Sequence, residues 1–460
     1  MNRVLDGRIS VILVAILVIS SCKKATSTDV GTGSGSGSGG GTTQITETAT
    51  SVLVGGQSLP AAIVWLGRHN GQIYGHAGSV VFRLNPATKL MEEAFRISFP
   101  GLAISDVWPR FMKLTTEGDL FVAVKASGNS TVVARLNLQG QKVWTKRINF
   151  TYNQFYGERH IDARSLNVFD NAVWLNCLRA LVKLDIQTGA LLASQQLPFA
   201  AQEIVAPVDV LPAGNQVMIY CRNSLLHLDF FFFDKNTLNF SHSLGRKIVR
   251  NTGSGSSANH FTVNNAFVLS NNRLLFLSDY THTGNAFFPI SFGLLTDFDG
   301  NVIRAKYFTN HLNNIVEISP AHRHTNGRFF AMIASDVDIN ITYTYNIVSV
   351  DESLSMIQSE ALIIGGNRNG GLLSPFPIDD NQVVVGKGNT FYWLNYQRIG
   401  CNKDPAFKFS VPQMDMEFTS IVRTTTPPSF APGISVQSTA DADMQTERLA
   451  ITSNTTECKK

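Results

Sequence analysis

One unit recurs seven times along this chain, and that recurrence constrains the fold more than any other feature. Each copy opens on a turn of Gly, Asn or Asp and enters an apolar strand. A few residues later a second apolar strand stops on Asn or Asp. The first strands read Gln72-Ile73-Tyr74-Gly75, Asp119-Leu120-Phe121-Val122, Ala172-Val173-Trp174-Leu175, Gln216-Val217-Met218-Ile219, Arg273-Leu274-Leu275-Phe276, Arg328-Phe329-Phe330-Ala331 and Gln382-Val383-Val384-Val385. The second strands stop at Asn85, Asn137, Asp185, Asp234, Asp297, Asp351 and Asn395, at intervals of 44 to 63 residues. Turns such as Asn70-Gly71, Asp170-Asn171 and Asn326-Gly327 precede the first strands. Gly reaches positive φ without strain, and Asn and Asp bond back to their own backbone. From residue 60 onward the apolar pattern has period two, with helical periodicity nearly absent. Ala87–Ile97 has a composition compatible with a short helix, but the repeat assigns it to strand.

A four-stranded antiparallel sheet uses about 40–50 residues, and a ring of such sheets is a β-propeller. The chain is therefore predicted to be all-β, a β-propeller of seven four-stranded blades, with six or eight as the alternatives. A pair of β-sandwiches would not repeat one motif at a steady interval, and the coils of a β-solenoid are shorter. The ring also accommodates about 400 residues beyond the leader and linker, more than one ordinary core organises. The longest interval is assigned to an insertion around the Gly/Ser-rich stretch Asn251–Ala258. The aromatic run Phe230–Phe233 reads as a strand covered on both faces by neighbouring blades. As architecture, residues 60–412 resemble the quinoprotein-like and WD40-like propellers. The Gly-x-x-x-Trp ending occurs once, at Gly140–Trp144, and no series of Trp-Asp endings is present. That resemblance implies fold alone.

The N-terminus supplies an address. Arg3 and Arg8 precede the apolar stretch Ile9–Ile19, which is too short to span a bilayer but suits the core of a secretory signal. Ser20-Ser21-Cys22 then resembles a bacterial lipoprotein processing site, and the Cys-Lys-Lys opening is similar to lipoproteins of the Bacteroidota. The resemblance implies removal of residues 1–21 and lipidation of Cys22, with palmitate-type acyl chains strong enough together for stable anchoring. No Asp follows Cys22, so the inner-membrane retention signal of enteric bacteria is absent. The expected location is the outer membrane, at its periplasmic face or at the cell surface. Residues 22–50 are assigned as the lipidated Cys and a Gly/Ser/Thr tether, 51–415 as the propeller, and 416–460 as a C-terminal strand and Ser/Thr-rich tail. Glu417–Arg423 is read as one more strand, closing the ring or adding an edge. The tail beyond it lies over the propeller or is partly disordered.

Net charge falls only from +4 to +3 when Arg3, Asp6 and Arg8 leave with the signal. Without a clustered basic stripe, that balance argues against nucleic acid. Charged residues are 16% of the chain, against roughly 25% in typical soluble domains, so the surface is expected to be rich in neutral polar side chains. Cys177, Cys221, Cys401 and Cys458 have no zinc-like spacing. A Cys401–Cys458 disulfide would fasten the tail in an oxidising compartment, while buried thiols are the alternative.

No hydrolase elbow, metalloprotease helix, phosphate loop or dinucleotide fingerprint is present, and no cofactor is assigned. The strongest polar constellation lies before or within the predicted innermost strands: Arg110, Arg159, His160, Asp162, His260, His322 and His324. Convergence of these groups at a channel mouth would suit an anion or an acidic glycan. His322 and His324, two apart on a strand, would share a face and offer two of the ligands a metal needs, but no further ligand is identified and no metal is assigned. Polar channel mouths are also ordinary in propellers. The leading functional expectation is a non-enzymatic binding or scaffolding protein whose loops engage a protein or a glycan. The alternatives are a polymer-acting lyase or hydrolase using the Arg/His mouth, and an outer-membrane assembly factor. The last rests on a fold-level similarity to the propeller lipoprotein of the barrel-assembly machine.

Overall fold

The computed structural model describes residues 46–101, 112–126, 130–152, 163–177, 180–197, 206–222, 227–250, 259–270, 272–283, 287–310, 316–336, 343–358, 361–362, 373–396, 403–404, 409–410, 416–425 and 434–459. They form seven antiparallel blades in a ring. Blades 1 to 6 occupy Ile63–Ser98, Met112–Tyr152, Ala163–Gln196, Ala206–Arg250, Asn259–Asn310 and Val316–Leu362. Blade 7 takes its inner three strands from Pro375–Asn395 and its fourth from the N-terminal strand Thr46–Val54. That strand closes the ring, and it begins within the stretch assigned above to the tether.

The repeat maps directly onto this architecture. Each of the seven first strands is the second strand of its blade, and each Asn or Asp stop ends or immediately follows the third. In blades 1 to 6 the side-chain oxygen of the stop residue accepts backbone N–H groups across the following turn. Asn85 Oδ1 accepts from Ala87 N at 2.9 Å, Asp185 Oδ1 from Thr188 N at 2.8 Å, and Asp234 Oδ1 from Thr237 N at 2.8 Å. Asn137, Asp297 and Asp351 do the same in their blades. Leu90–Ser98 is strand, as the repeat requires. The long interval before Asp297 comes in part from lengthened strands, Phe240–Arg250, Asn259–Leu269, Arg273–Thr283 and Phe287–Asp297; the predicted insertion, 251–258, lies outside the described residues.

Alternation sends successive side chains to opposite faces of a blade, where a neighbouring blade covers each. In blade 2, Leu120, Val122 and Val124 pack towards blade 1, and Phe121 and Ala123 towards blade 3. The four consecutive phenylalanines divide in the same way. Phe230 and Phe232 join the blade 5 cluster, and Phe231 and Phe233 the blade 3 cluster. Every pair of adjacent blades shares such an apolar cluster, including blades 7 and 1 around Trp65, Phe82, Phe376 and Phe391.

The C-terminal segment is a feature that the repeat does not contain. It travels back around the circumference and adds a fifth, antiparallel strand to successive blades. Lys403–Asp404 joins blade 6, Phe409–Ser410 blade 5, Met416–Thr424 blade 4, Ile434–Asp441 blade 2, Gln445–Arg448 blade 1 and Ile451–Lys459 blade 7. Glu417–Arg423 therefore adds an edge to blade 4 and does not close the ring. Among the described residues blade 3 keeps four strands. The strand on blade 4 ends at Thr424 and the next described strand, on blade 2, begins at Ile434.

The two faces of the disc differ. One carries the first-to-second and third-to-fourth connections, tight turns such as Asn70-Gly71 and Asn85–Lys89; we call it the turn face. At the other, the loop face, lie the second-to-third connections and the strand ends from which the links between successive blades start and finish, such as Ser98, Met112, Tyr152 and Ala163. Blades approach closely at the turn face. Gly189 has φ +69°, and a Cβ there would stand 2.7 Å from the Trp144 ring of blade 2. Gly189→Ala is expected to destabilise the fold by about 1–3 kcal/mol in urea unfolding, through φ strain and overpacking together.

Candidate functional site

The predicted constellation does not converge at one place among the described residues. His260 is the second residue of the inner strand of blade 5, opposite Thr281, at the loop-face end. His322 and His324 lie at the other end of the inner strand of blade 6, beside the tight turn that leads to Arg328. Arg110, Arg159, His160 and Asp162 lie outside the described residues, as do Cys22 and Cys401. Cys458 sits in the last strand opposite Glu47, and Cys177 packs in the apolar cluster between blades 2 and 3.

His322 is the most perturbed group. Its Nε2 lies 3.0 Å from Ser374 Oγ, whose own hydroxyl donates to Pro320 O at 2.8 Å. That commits the Ser374 proton and makes His322 Nε2–H the donor, so the ring is neutral with its proton on Nε2. Trp65 Nε1 donates to Ser374 O at 2.7 Å, and the Phe376 ring lies 5.4 Å from the imidazole. Enclosure by protein pushes the His322 pKa down to about 3, with the Lys113 charge adding to the effect. His322 as a residue is half-buried. Lys113 belongs to the inner strand of blade 2. An imidazole held neutral and committed to Ser374 joins blades 6 and 7, and it is a poor acid–base group near neutral pH.

His324 has different partners. Its Nδ1 accepts from Asn326 N at 3.4 Å and lies 3.6 Å from Asp380 Oδ1 of blade 7, to which Asn326 Nδ2 also donates. The two histidines are therefore taken by separate sites. Among the described residues no cluster of three or more His, Cys, Asp or Glu side chains is placed to hold a metal ion.

The polar groups that matter most to the ring are ones that residue-type searching passed over. Arg135 stands two residues before its Asn stop and reaches into blade 3, donating to Ile186 O at 3.0 Å and Gln187 Oε1 at 2.7 Å while pairing with Asp119 at 2.8 Å. Lys183, in the same position of blade 3, donates to Lys235 O of blade 4 at 2.8 Å. Lys306 and Arg304 reach the blade 6 turn at Leu354 O and Ser353 O. The available signal was the sequence Arg/Lys-Leu-Asn/Asp at the end of the third strand, at Arg83–Asn85, Arg135–Asn137 and Lys183–Asp185. The turn carboxylates are tuned as well. The Thr188 hydroxyl and backbone hold Asp185 below the usual carboxylate range, and backbone N–H groups at Thr237 and Asn236 do so for Asp234.

A recess of about 450 Å³ lies at the rim, between the outer strand of blade 1 and the C-terminal segment, lined by Glu92, Phe95, Gln139, Arg448, Leu449 and Ile451. It is remote from the channel, and its carboxylate Glu92 already pairs with Arg83 at 3.2 Å. No described helix is long and apolar enough to cross a membrane.

No protein-family model and no curated protein matches this chain. Solved structures similar to it include the WD40 domain of Neurospora crassa Pan2 (TM-score 0.43, 10% identity, covering 75% of this chain and 91% of that one). Drosophila Semaphorin 1a is similar at TM-score 0.42 and 9% identity, covering 74% of this chain and 87% of that one. Quinohemoprotein alcohol dehydrogenase from Comamonas testosteroni is similar at TM-score 0.34 and 10% identity, covering 74% and 68%. At these identities the likeness concerns the fold.

The His322 geometry sets a pH dependence. The unfolded imidazole takes up a proton near pH 6.5 and the folded one only near pH 3, so stability falls as pH drops through that window. Between pH 6.5 and 4.5 the native protein should lose about 2–3 kcal/mol more than His322→Gln, whose amide keeps a donor at the Nε2 position. Urea unfolding at the two pH values checks this.

Proposed function

We propose that this chain is a cell-envelope binding or scaffolding protein, held at the outer membrane through lipidated Cys22 and engaging a protein or a glycan through its loop face. The observation that carries the reading is the asymmetry of the disc. The turn face is closed by Asn and Asp caps and by inter-blade bonds, while the links from each blade to the next around the ring start and end on the opposite side. A rigid scaffold with its variable segments gathered on one face suits recognition. His322 and His324 reach across from blade 6 to Ser374 and Asp380 of blade 7, a joining role that favours binding over the polymer-acting alternative.

The entry point of the tether supports a presentation geometry. Thr46 begins its strand on the turn-face side, since Thr48 pairs with Trp393 just before that strand ends at Asn395. Lys459 is opposite Thr46, so both ends of the described chain leave from the same rim. A flexible tether from Cys22 to Thr46 has a typical reach of about 25–30 Å. On this reading the turn face is biased towards the membrane and the loop face away from it.

Two measurements test the proposal. Mass analysis of the mature N-terminal peptide should find acylated Cys22, and an unmodified peptide starting at or before Met1–Ser21 would refute the anchor. Capture from crosslinked cells should recover a partner, and Arg159→Ala with His160→Ala, between Tyr152 and Ala163, should lower recovery at least tenfold. Unchanged recovery in that folded variant would exclude this part of the loop face.

A further inference from the structure

The N-terminal strand is paired on both edges, and unequally. Towards the ring its register with Thr390–Asn395 covers Thr48 to Ser51, and Val52 N donates to Asn389 O at 2.8 Å just beyond it. Towards the rim it pairs with the last strand over its whole length, from Thr46 opposite Lys459 to Val54 opposite Ile451. The register continues beyond the strand, with Gly55 N donating to Ala450 O at 2.7 Å. Leu449 N donates to Ala94 O of blade 1 at 2.9 Å, so the same stretch also holds blade 1. The seam between blades 7 and 1 is thus crossed by the chain end itself.

We propose that the C-terminal segment is a clasp, and that its last strand locks the N-terminal strand into blade 7. Side chains alone give that strand a limited hold on the ring. Val52 and Val54 are buried in the blade 7–blade 1 cluster, Thr50 Oγ1 donates to Lys89 O at 2.8 Å, and Lys89 Nζ donates to Thr48 Oγ1 at 2.7 Å. Without the clasp, most of the outward N–H and C=O groups of Thr46–Val54 would face solvent, and the strand would be an ordinary frayed edge. With it, the end of the chain that receives the tether is the middle strand of a three-stranded arrangement. The clasp surface is polar, with Thr452, Ser453, Asn454, Thr455 and Thr456 in its final strand. Such an edge binds its partner through backbone bonds and stays soluble outside. The pairing joins residues far apart in the sequence, a contact whose closure is entropically costly.

The clasp and the lipid anchor are separable claims, because this one needs only the folded disc. The Gly55–Ala450 bond places the N–H groups of Thr452, Asn454 and Thr456 towards the N-terminal strand by the antiparallel alternation. The test is hydrogen exchange on the full chain carrying Asn454→Pro and Thr456→Pro, with Asn454→Ala as the control that keeps the N–H. Amide protection of Thr46–Val54 should fall at least tenfold in the proline variant and stay within twofold of native in the control. Protection of Ala172–Cys177 and Gln216–Arg222, in blades 3 and 4, should be unchanged. Unchanged protection of Thr46–Val54 overturns the proposal, because the ring would then hold that strand unaided. Equal loss in blades 3 and 4 also overturns it, because the segment would then be part of one global unit. The single variant Thr456→Pro, read in the same way, should show a smaller loss confined to Thr46–Val54.

Discussion

A propeller blade cannot bury itself. Each is a single sheet with apolar residues on both faces, and either face is stable only against another blade. Everything else in this structure follows from that constraint. Leu120, Val122 and Val124 need blade 1 as much as Phe121 and Ala123 need blade 3. The last blade must therefore meet the first, and the seam is packed with Trp65, Phe82, Phe376 and Phe391, whose rings meet at centroid distances of 5.4 to 6.1 Å. Closing a ring from both chain ends is an entropically demanding contact, and it is reinforced twice, by the N-terminal strand and by the strand that covers it.

Polar groups follow the same logic. Arg135, Lys183, Lys306 and His322 each span a blade boundary, and each donates to a carbonyl or hydroxyl of the neighbouring blade. Charged and aromatic groups of these types invite functional readings when met in a sequence. Here their partners are on the next blade, and their contribution is registration between sheets that apolar packing alone would allow to slide. The bonds of Arg135, Lys183 and Lys306 gather at the turn face, so the proposed recognition role is placed on the loop face.

The blade pattern was legible because its physical cause is local. A strand buried on both faces is an unbroken apolar run, and a third strand that must turn sharply ends on Asn or Asp. Phe230–Phe233 and the stops from Asn85 to Asn395 therefore announce themselves residue by residue. Of the circumferential segment only Glu417–Arg423 was legible as a strand. Gln445–Arg448 is exposed along its whole length and Ile451–Lys459 along most of it, and both are rich in Thr and other polar residues, so they carry no apolar alternation. Their strand character is borrowed from the edges they pair with. The histidines misled for a related reason: spacing along a strand brings His322 and His324 close in sequence, but the surrounding blades give each a different partner.

The sequence by itself determined the number of blades, the position of their strands and the all-β class, because those are written in period-two alternation and in the residues that turn a chain. Only the tertiary structure decided which strand closes the ring, what covers its rim, and that His322 joins blades 6 and 7 by donating to Ser374. Those outcomes depend on pairing between segments hundreds of residues apart, and the energy of such pairing lies in backbone groups that every residue type shares.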